Sequence, residues 1–242
     1  MTSNDLSPLY QNVDKLKGIG PKKASYLKNL GIKIVLDAFY ILPTRVIDRT
    51  QDIDFKTLEK GQVITTLVKI KKHRPPFNPR LPYVIECTKG SLIVNIIYFS
   101  MKGNFLRTKY PENKEFIISG KISFYKSNLS IAHPDYIEEV ENEQNLRRLE
   151  NIYPLTRGIS LKDIKKIING GKDYINNFDE WLNERLISKH QFNSFEDSLK
   201  KIHFPDNLQE VDKKEVFRKR LAVDELVSNY FAIRYLKEKT KK

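Results

Sequence analysis

Apolar residues change their spacing twice along this chain of 242 residues, from helical steps to alternation and back. Ala24, Leu27 and Leu30 recur at a step of three between Pro21 and Gly31, and Ile34, Val35, Ala38, Phe39 and Leu42 recur at steps of three and four before Pro43. This spacing predicts two helices, the first started by Pro21 and closed by Gly31, the second ended by Pro43. From about residue 51 the period becomes two. Val63, Thr65, Leu67 and Lys69 alternate with Ile64, Thr66, Val68 and Ile70, and 83–87, 92–99, 115–124 and 129–132 follow as β-rich runs. Lys126-Ser127-Asn128 reads as a hairpin turn, Gly90 and Gly103 lie between strands, and Gly120 lies inside one, where a small barrel has to bend. From about residue 146, the runs 161–168, 178–187, 195–202 and 213–237 return to helical spacing, with Ser160 and Asp163 resembling a capping box. In the last run Phe217, Leu221, Leu226, Val227, Tyr230 and Phe231 make an apolar face, expected to pack on the barrel or on another domain.

The pattern therefore predicts an α+β chain in three parts. Residues 1–50 form a helical, helix-hairpin-helix-like part, 51–145 a five-stranded barrel of OB type, and 146–242 a second helical part. The length suffices for sizeable cores.

Charge narrows the partner. With 43 Lys and Arg against 30 Asp and Glu, the net charge of +13 attracts polyanions, and nucleic acid leads that class. A lysine-rich composition that only keeps the protein soluble is the alternative. Glu138, Glu139, Glu141 and Glu143 form an acidic run, so the positive surface lies elsewhere. The one cysteine, Cys87, excludes an internal disulfide and suits a reducing interior. Residues 1–10 lack the pattern of a signal peptide and no apolar stretch is long enough to span a bilayer, so a cytoplasmic location and no membrane partner are expected.

Catalytic chemistry finds little support. His73, His133, His190 and His203 are far apart in sequence and none stands at a ligand-like step from Cys87, so neither a metal site nor a cofactor is expected. Gly20-Pro21-Lys22-Lys23 and Gly170-Gly171-Lys172-Asp173 both miss the P-loop pattern. Asp224-Glu225 lies in a helix without such a loop, and no catalytic residue is assigned.

Three segments carry candidate binding chemistry. Leu16 to Ala24 combines Gly18, Gly20 and Pro21 with Lys22 and Lys23, which suits either a phosphate held at a helix start or a structural hairpin with solvated lysines. Lys71 to Arg80 places four cations, Lys71, Lys72, Arg74 and Arg80, around Phe77 and three prolines, a stiff cationic connection suited to tracking a nucleic-acid backbone. Tyr98 to Phe105 ends a strand with aromatic rings beside Lys102. Strand alternation turns one of Tyr98 and Phe99 inward, and Phe105 suits either an exposed ring or the buried side of a short helix. Arg45 and Arg49 read as a structural pair, matched to Asp48, Asp52 and Asp54.

These blocks fall in a familiar order. Leu16 to Ile32, Leu42 to Arg49, Gly120-Lys121 with His133-Pro134-Asp135-Tyr136, Tyr153 to Gly158, Ile202 to Pro205 and Arg220 to Leu226 together resemble the N-terminal region of the RecG branched-DNA helicase family. The resemblance implies an OB-type wedge domain that binds the branch point of stalled forks and Holliday junctions in DNA repair and recombination. It implies that Tyr98 to Phe105 is the wedge tip, with Phe99 and Phe105 stacking and Lys102 on phosphate, and that Lys71 to Arg80 lies along the parted strands. Gly18, Gly20, Lys22 and Lys23 would anchor the helices or hold a duplex arm. The family's two-lobed ATPase has no counterpart in this sequence. Three functions follow as alternatives: a branched-DNA-binding module without its own ATPase, a helicase acting with a separately encoded motor chain, and an OB module that binds a protein such as a single-strand-binding protein.

Overall fold

The computed structural model describes residues 5–54, 58–78, 80–99, 103–125 and 128–240. Short helical pieces fill the start of the chain: 3-10 turns at Ser7–Tyr10 and Val13–Lys15, helix α1 (Pro21–Leu27) extended by a 3-10 turn at Lys28–Leu30, and another at Leu36–Tyr40. Gly18 reverses the chain with φ of 83°, Pro21 takes the first helical position, and Gly31 ends the turn with φ of 80°. The helix expected over 34–42 is a single 3-10 turn. Pro43 biases Leu42 out of helical geometry, and the few residues left are too short to repay a helical nucleus.

Strand β1 (Arg45–Asp48) leads into residues 47–150, a unit of its own. Its strands are β2 (Val63–Arg74), β3 (Tyr83–Lys89), β4 (Leu92–Tyr98), β5 (Glu115–Tyr125), β6 (Asn128–Ala132) and β7 (Tyr136–Glu138), with α2 (Gly103–Lys109) between β4 and β5. The order β2-β3-β4-β6-β5 closes on itself through β2–β5 pairing, and β7 adds to the outer side of β5. Among the described barrel pairings, only that of β4 with β6 is parallel. This is the closed five-stranded mixed barrel expected from the alternation. Ile85, Cys87, Val94, Ile96, Ile118, Ile122 and Ile131 fill it, with Leu106 of α2 and Tyr110 just beyond it in the same core. Gly120 is needed on β5: a Cβ there would lie 2.6 Å from Ile131 Cγ2 and 3.1 Å from the backbone of Pro134. Residues 126 and 127 of the expected hairpin turn lie outside the described residues.

A buried charge holds the ends of this unit. Arg49 is 3% exposed. Its guanidinium donates to Glu150 Oε2 at 2.5 Å, Ser119 Oγ at 2.9 Å and Asp135 Oδ2 at 3.0 Å, and lies 4.9 Å from the centre of the Tyr136 ring. The pairing is structural, as read from the sequence, but the partners are Glu150 and Asp135 rather than the neighbouring aspartates.

The remaining elements are α3 (Glu143–Leu146), β8 (Leu149–Ile152), which pairs with β1, then α4 (Leu161–Gly171), α5 (Glu184–His190), α6 (Phe195–His203), α7 (Leu208–Asp212) and α8 (Lys214–Thr240). The Ser160–Asp163 capping box starts α4. The helix expected over 178–187 starts only at Glu184, because Glu180 is used otherwise. Its carboxylate accepts from the backbone N–H groups of Leu182 and Phe195 and pairs with the buried Arg220.

Residues 1–46 and 151–242 form the second unit. The sequence reading divides the helical residues into separate parts, whereas here they share one core: Leu9, Leu27, Ile32 and Phe39 pack with Ile164, Ile168, Leu199, Ile202 and Leu221. Gly171 permits that closeness, since a Cβ would lie 2.6 Å from the Phe39 ring. His203 is wholly buried between the ends, donating from Nε2 to the Phe39 carbonyl at 2.8 Å and accepting at Nδ1 from Tyr153 Oη at 2.9 Å.

Two outcomes test these buried groups. Removing the Arg49 charge leaves Glu150 buried and uncompensated, so Arg49→Met is expected to destabilise the 47–150 unit by about 3–5 kcal/mol in urea melts. Burial lowers the His203 pKa to about 4 from its ordinary value near 6.5. Between those values the unfolded chain binds a proton that the folded unit excludes, so stability falls as pH drops through that window, by about 3 kcal/mol in all. Melts at pH 7 and 4.5 measure the loss, and the His203 imidazole resonance should not titrate above about pH 5.

Candidate nucleic-acid interface

Strand pairing places the candidate barrel segments on one rim. Arg74 on β2 pairs with Val84 on β3, Tyr83 with Tyr98 on β4, and Ile97 with Ala132 on β6. The chain leaving β2 at residue 75, entering β3 at 82, leaving β4 at 99 and leaving β6 at 133 therefore does so at the same end of the barrel. In OB folds, the loop between the first two strands and the exposed sheet face serve single-stranded ligands.

The β2–β3 connection is shorter than the sequence suggests, since Lys71 to Arg74 belong to β2. A bulge between Ile70 and Lys72 shifts the register and leaves Lys71 and Lys72 both exposed. His73 turns inward, where Nε2 lies 2.7 Å from the Tyr110 carbonyl and Nδ1 3.0 Å from Tyr83 Oη. Beyond the strand, Phe77 is 93% exposed and Arg80 is exposed. No ion pair reaches Lys72 or Arg80 among the described residues. Lys71 and Arg74 are different, because both pair with the buried Glu86 on β3, Lys71 at 3.4 Å and Arg74 through Nε at 2.9 Å. The Arg74 hydrogen bond, helped by Lys71, holds the Glu86 carboxyl below the usual range against the effect of burial.

The second segment resolves its two alternatives. Tyr98 faces the core, while Phe99 is 54% exposed. Phe105 lies on the outer side of α2 at 56% exposure, and its neighbour Leu106 is buried. Lys109 Nζ stands 5.8 Å from the Phe105 ring centre, a cation–π distance. Lys102 lies outside the described residues.

In the helical unit, the glycine turn is structurally committed. Lys166 donates from Nζ to the Lys17 carbonyl, and a Cβ on Gly18 would lie 2.9 Å from that Nζ. Lys23 pairs with Asp163 at 2.6 Å. Gly20 is extended rather than left-handed, with φ of −78° and nothing within 4 Å of a Cβ, so its backbone needs no glycine. Lys22 is exposed, with no ion pair among the described residues.

Sequence reasoning missed Glu86 and the role of His133. Glu86 gives no signal until register sets it opposite Lys72, beside Lys71 and Arg74. His133 reads in sequence only as a turn before proline, yet its ring lies 5.6 Å from that of Phe99.

A closed OB-type barrel with exposed rings and cations on one rim defines a class of nucleic-acid-binding modules. Within that class, the model of the RecG wedge domain matches residues 12–175, and the chain belongs to this family. It is 24% identical to the ATP-dependent DNA helicase RecG of Aquifex aeolicus (strain VF5), over 96% of this chain and 31% of the relative. The RecG of Thermotoga maritima is 28% identical, over 97% of this chain and 30% of its own length. The structure of RecG bound to a three-way DNA junction superposes with a TM-score of 0.70 at 25% identity, covering 96% of this chain and 32% of that one. The chain thus spans about a third of the relatives it matches.

The Glu86 pairing yields a prediction. Lys71 and Arg74 are each more than half exposed, so Glu86→Gln strands no buried charge and frees two cations. Affinity for DNA is expected to rise, and the slope of log K against log salt to steepen by about 1–2, measured by fluorescence anisotropy between 50 and 200 mM salt.

Proposed function

We propose that this chain is a branched-DNA-binding wedge module that acts in DNA repair and recombination, in the cytoplasm. The observation that carries this is the convergence of Phe77, Arg80 and Phe99 on one barrel rim, in a fold matching RecG bound to a three-way junction. Phe99 and Phe105 stack on bases where strands part. Lys72, Arg80 and Lys102 follow the backbones, joined by Lys71 and Arg74 as far as Glu86 leaves them free, and Lys22 meets a duplex arm beside the turn at Gly18 and Gly20, where Lys23 is engaged by Asp163.

A second reading adds a motor. Residues 226–236 of α8 contain one charged side chain, Arg234, while Leu226, Tyr230, Phe231, Ile233, Tyr235 and Leu236 are all more than half exposed. A helix apolar on every side is ordinarily enclosed, and two-thirds of each relative lies outside the match. This supports a helicase motor as the covering mass, in the same polypeptide or as a separate chain.

Binding to a fork and to linear duplex of equal length tests the main proposal. The fork should bind at least tenfold tighter, and Phe99→Ala and Phe105→Ala should each weaken fork binding by about 1–3 kcal/mol while leaving linear duplex unaffected. Equal affinity for the two DNAs sinks the proposal. Displacement of the fork by a single-strand-binding protein would instead favour a protein as occupant of the rim.

A further inference from the structure

His133 is the most strained residue near the rim. Its φ is 45°, a left-handed value for a side chain with a Cβ, and it precedes Pro134, which disfavours helical angles of either hand at that place. Such an outlier persists only when its surroundings hold it. Here they do so from both sides. The His133 N–H donates to the Ile97 carbonyl at 2.9 Å, and the Phe99 N–H donates to His133 Nε2 at 3.1 Å. One residue thus clasps the end of β4 on either side of Tyr98, whose ring stands edge-on to the imidazole at 5.5 Å and 85°.

The clasp has a consequence for Phe99. Beyond Tyr98 the strand ends, and nothing in β-pairing fixes the next residue. The hydrogen bond from its own N–H supplies that constraint, and the imidazole lies beside its ring, 5.6 Å between centres and 33° between planes. Both rings are exposed. The backbone hydrogen bond and the tilted imidazole together hold the exposed Phe99 ring from two sides.

We propose that His133 is the positioning residue that aims the Phe99 ring at an unpaired nucleobase. This rests on the branched-DNA reading for its ligand, but its geometry belongs to the barrel alone. The strain at His133 is then explained: it presents Nε2 to the Phe99 backbone and sets the imidazole against the Phe99 ring together.

The test uses a fork carrying 2-aminopurine at the first unpaired position, and a plain single strand carrying the same base. Stacking quenches the fluorophore. The full chain should quench it on binding, and Phe99→Ala should abolish the quench. His133→Ala should reduce both the quench and the affinity by roughly tenfold, with an unchanged melting temperature. His133→Asn, which tolerates the left-handed backbone and keeps an acceptor, should recover part of the loss. In the double variant the His133 effect should vanish, since a positioning residue has nothing left to aim. Wild-type quench and affinity in His133→Ala, or full additivity in the double variant, overturns the proposal. Quenching on the single strand without fork preference would keep the aiming of Phe99 by His133 and reject the branched-DNA reading.

Discussion

The barrel depends on a full positive charge kept out of water. Arg49 stands just after β1, Glu150 within β8, Ser119 on β5 and Asp135 just before β7, and one guanidinium reaches all three partners. A buried cation is tolerable only when its donors are all used and its charge is matched. Glu150 provides the match, and Tyr136 Oη donates to its other oxygen at 2.5 Å, which together with burial pushes that phenol up to about 12. The arrangement is unforgiving, because no single member can move without leaving another unsatisfied. It therefore fixes where the chain joins and leaves the barrel, and it does so at β5, the strand that pairs with β2, β6 and β7.

From β5 the constraint passes to the rim. Closure of β2 on β5 leaves each strand one permitted register, since a slip of one residue would turn a whole apolar set outward. That register sets Tyr98 inside and Phe99 outside, and it puts the ends of β4 and β6 side by side at Ile97 and Ala132. Phe99 and His133 are thus not placed by loop chemistry. They are the first residues beyond strands whose positions the core dictates.

Much of this was legible in the sequence. Alternation located the five barrel strands, Gly120 marked the bend, and Phe77, Phe99 and Phe105 were expected as binding rings and are all exposed. Three kinds of fact were not legible. Which cations are free depends on partners distant in sequence: Glu86 takes Lys71 and Arg74, and Asp163 takes Lys23. Helix limits depend on side chains used elsewhere, as Glu180 is by Arg220. The merging of both chain ends into one core depends on packing of Phe39 against Gly171, for which a single sequence has no local sign. The face expected on α8 is likewise only half buried, at Phe217 and Leu221, because apolar spacing says nothing about whether a partner is present.

Charge and shape have separate tasks on this surface. The excess of +13 draws any nucleic acid, and its pull decays with salt whatever the structure of the DNA. It cannot tell a fork from a duplex. On the branched-DNA reading the rings supply that distinction, because a flat apolar face gains only from a base that has left its stack, and unpaired bases are what a branch offers and a linear duplex lacks. Glu86 fits this division, since neutralising two rim cations weakens the indiscriminate attraction and leaves the ring contacts untouched. A ring already held in place also loses little freedom on binding, so more of the stacking energy appears as affinity. On the branched-DNA reading, discrimination would therefore be a property of the rings on the rim, and the cations would set only how strongly DNA of every kind is drawn there.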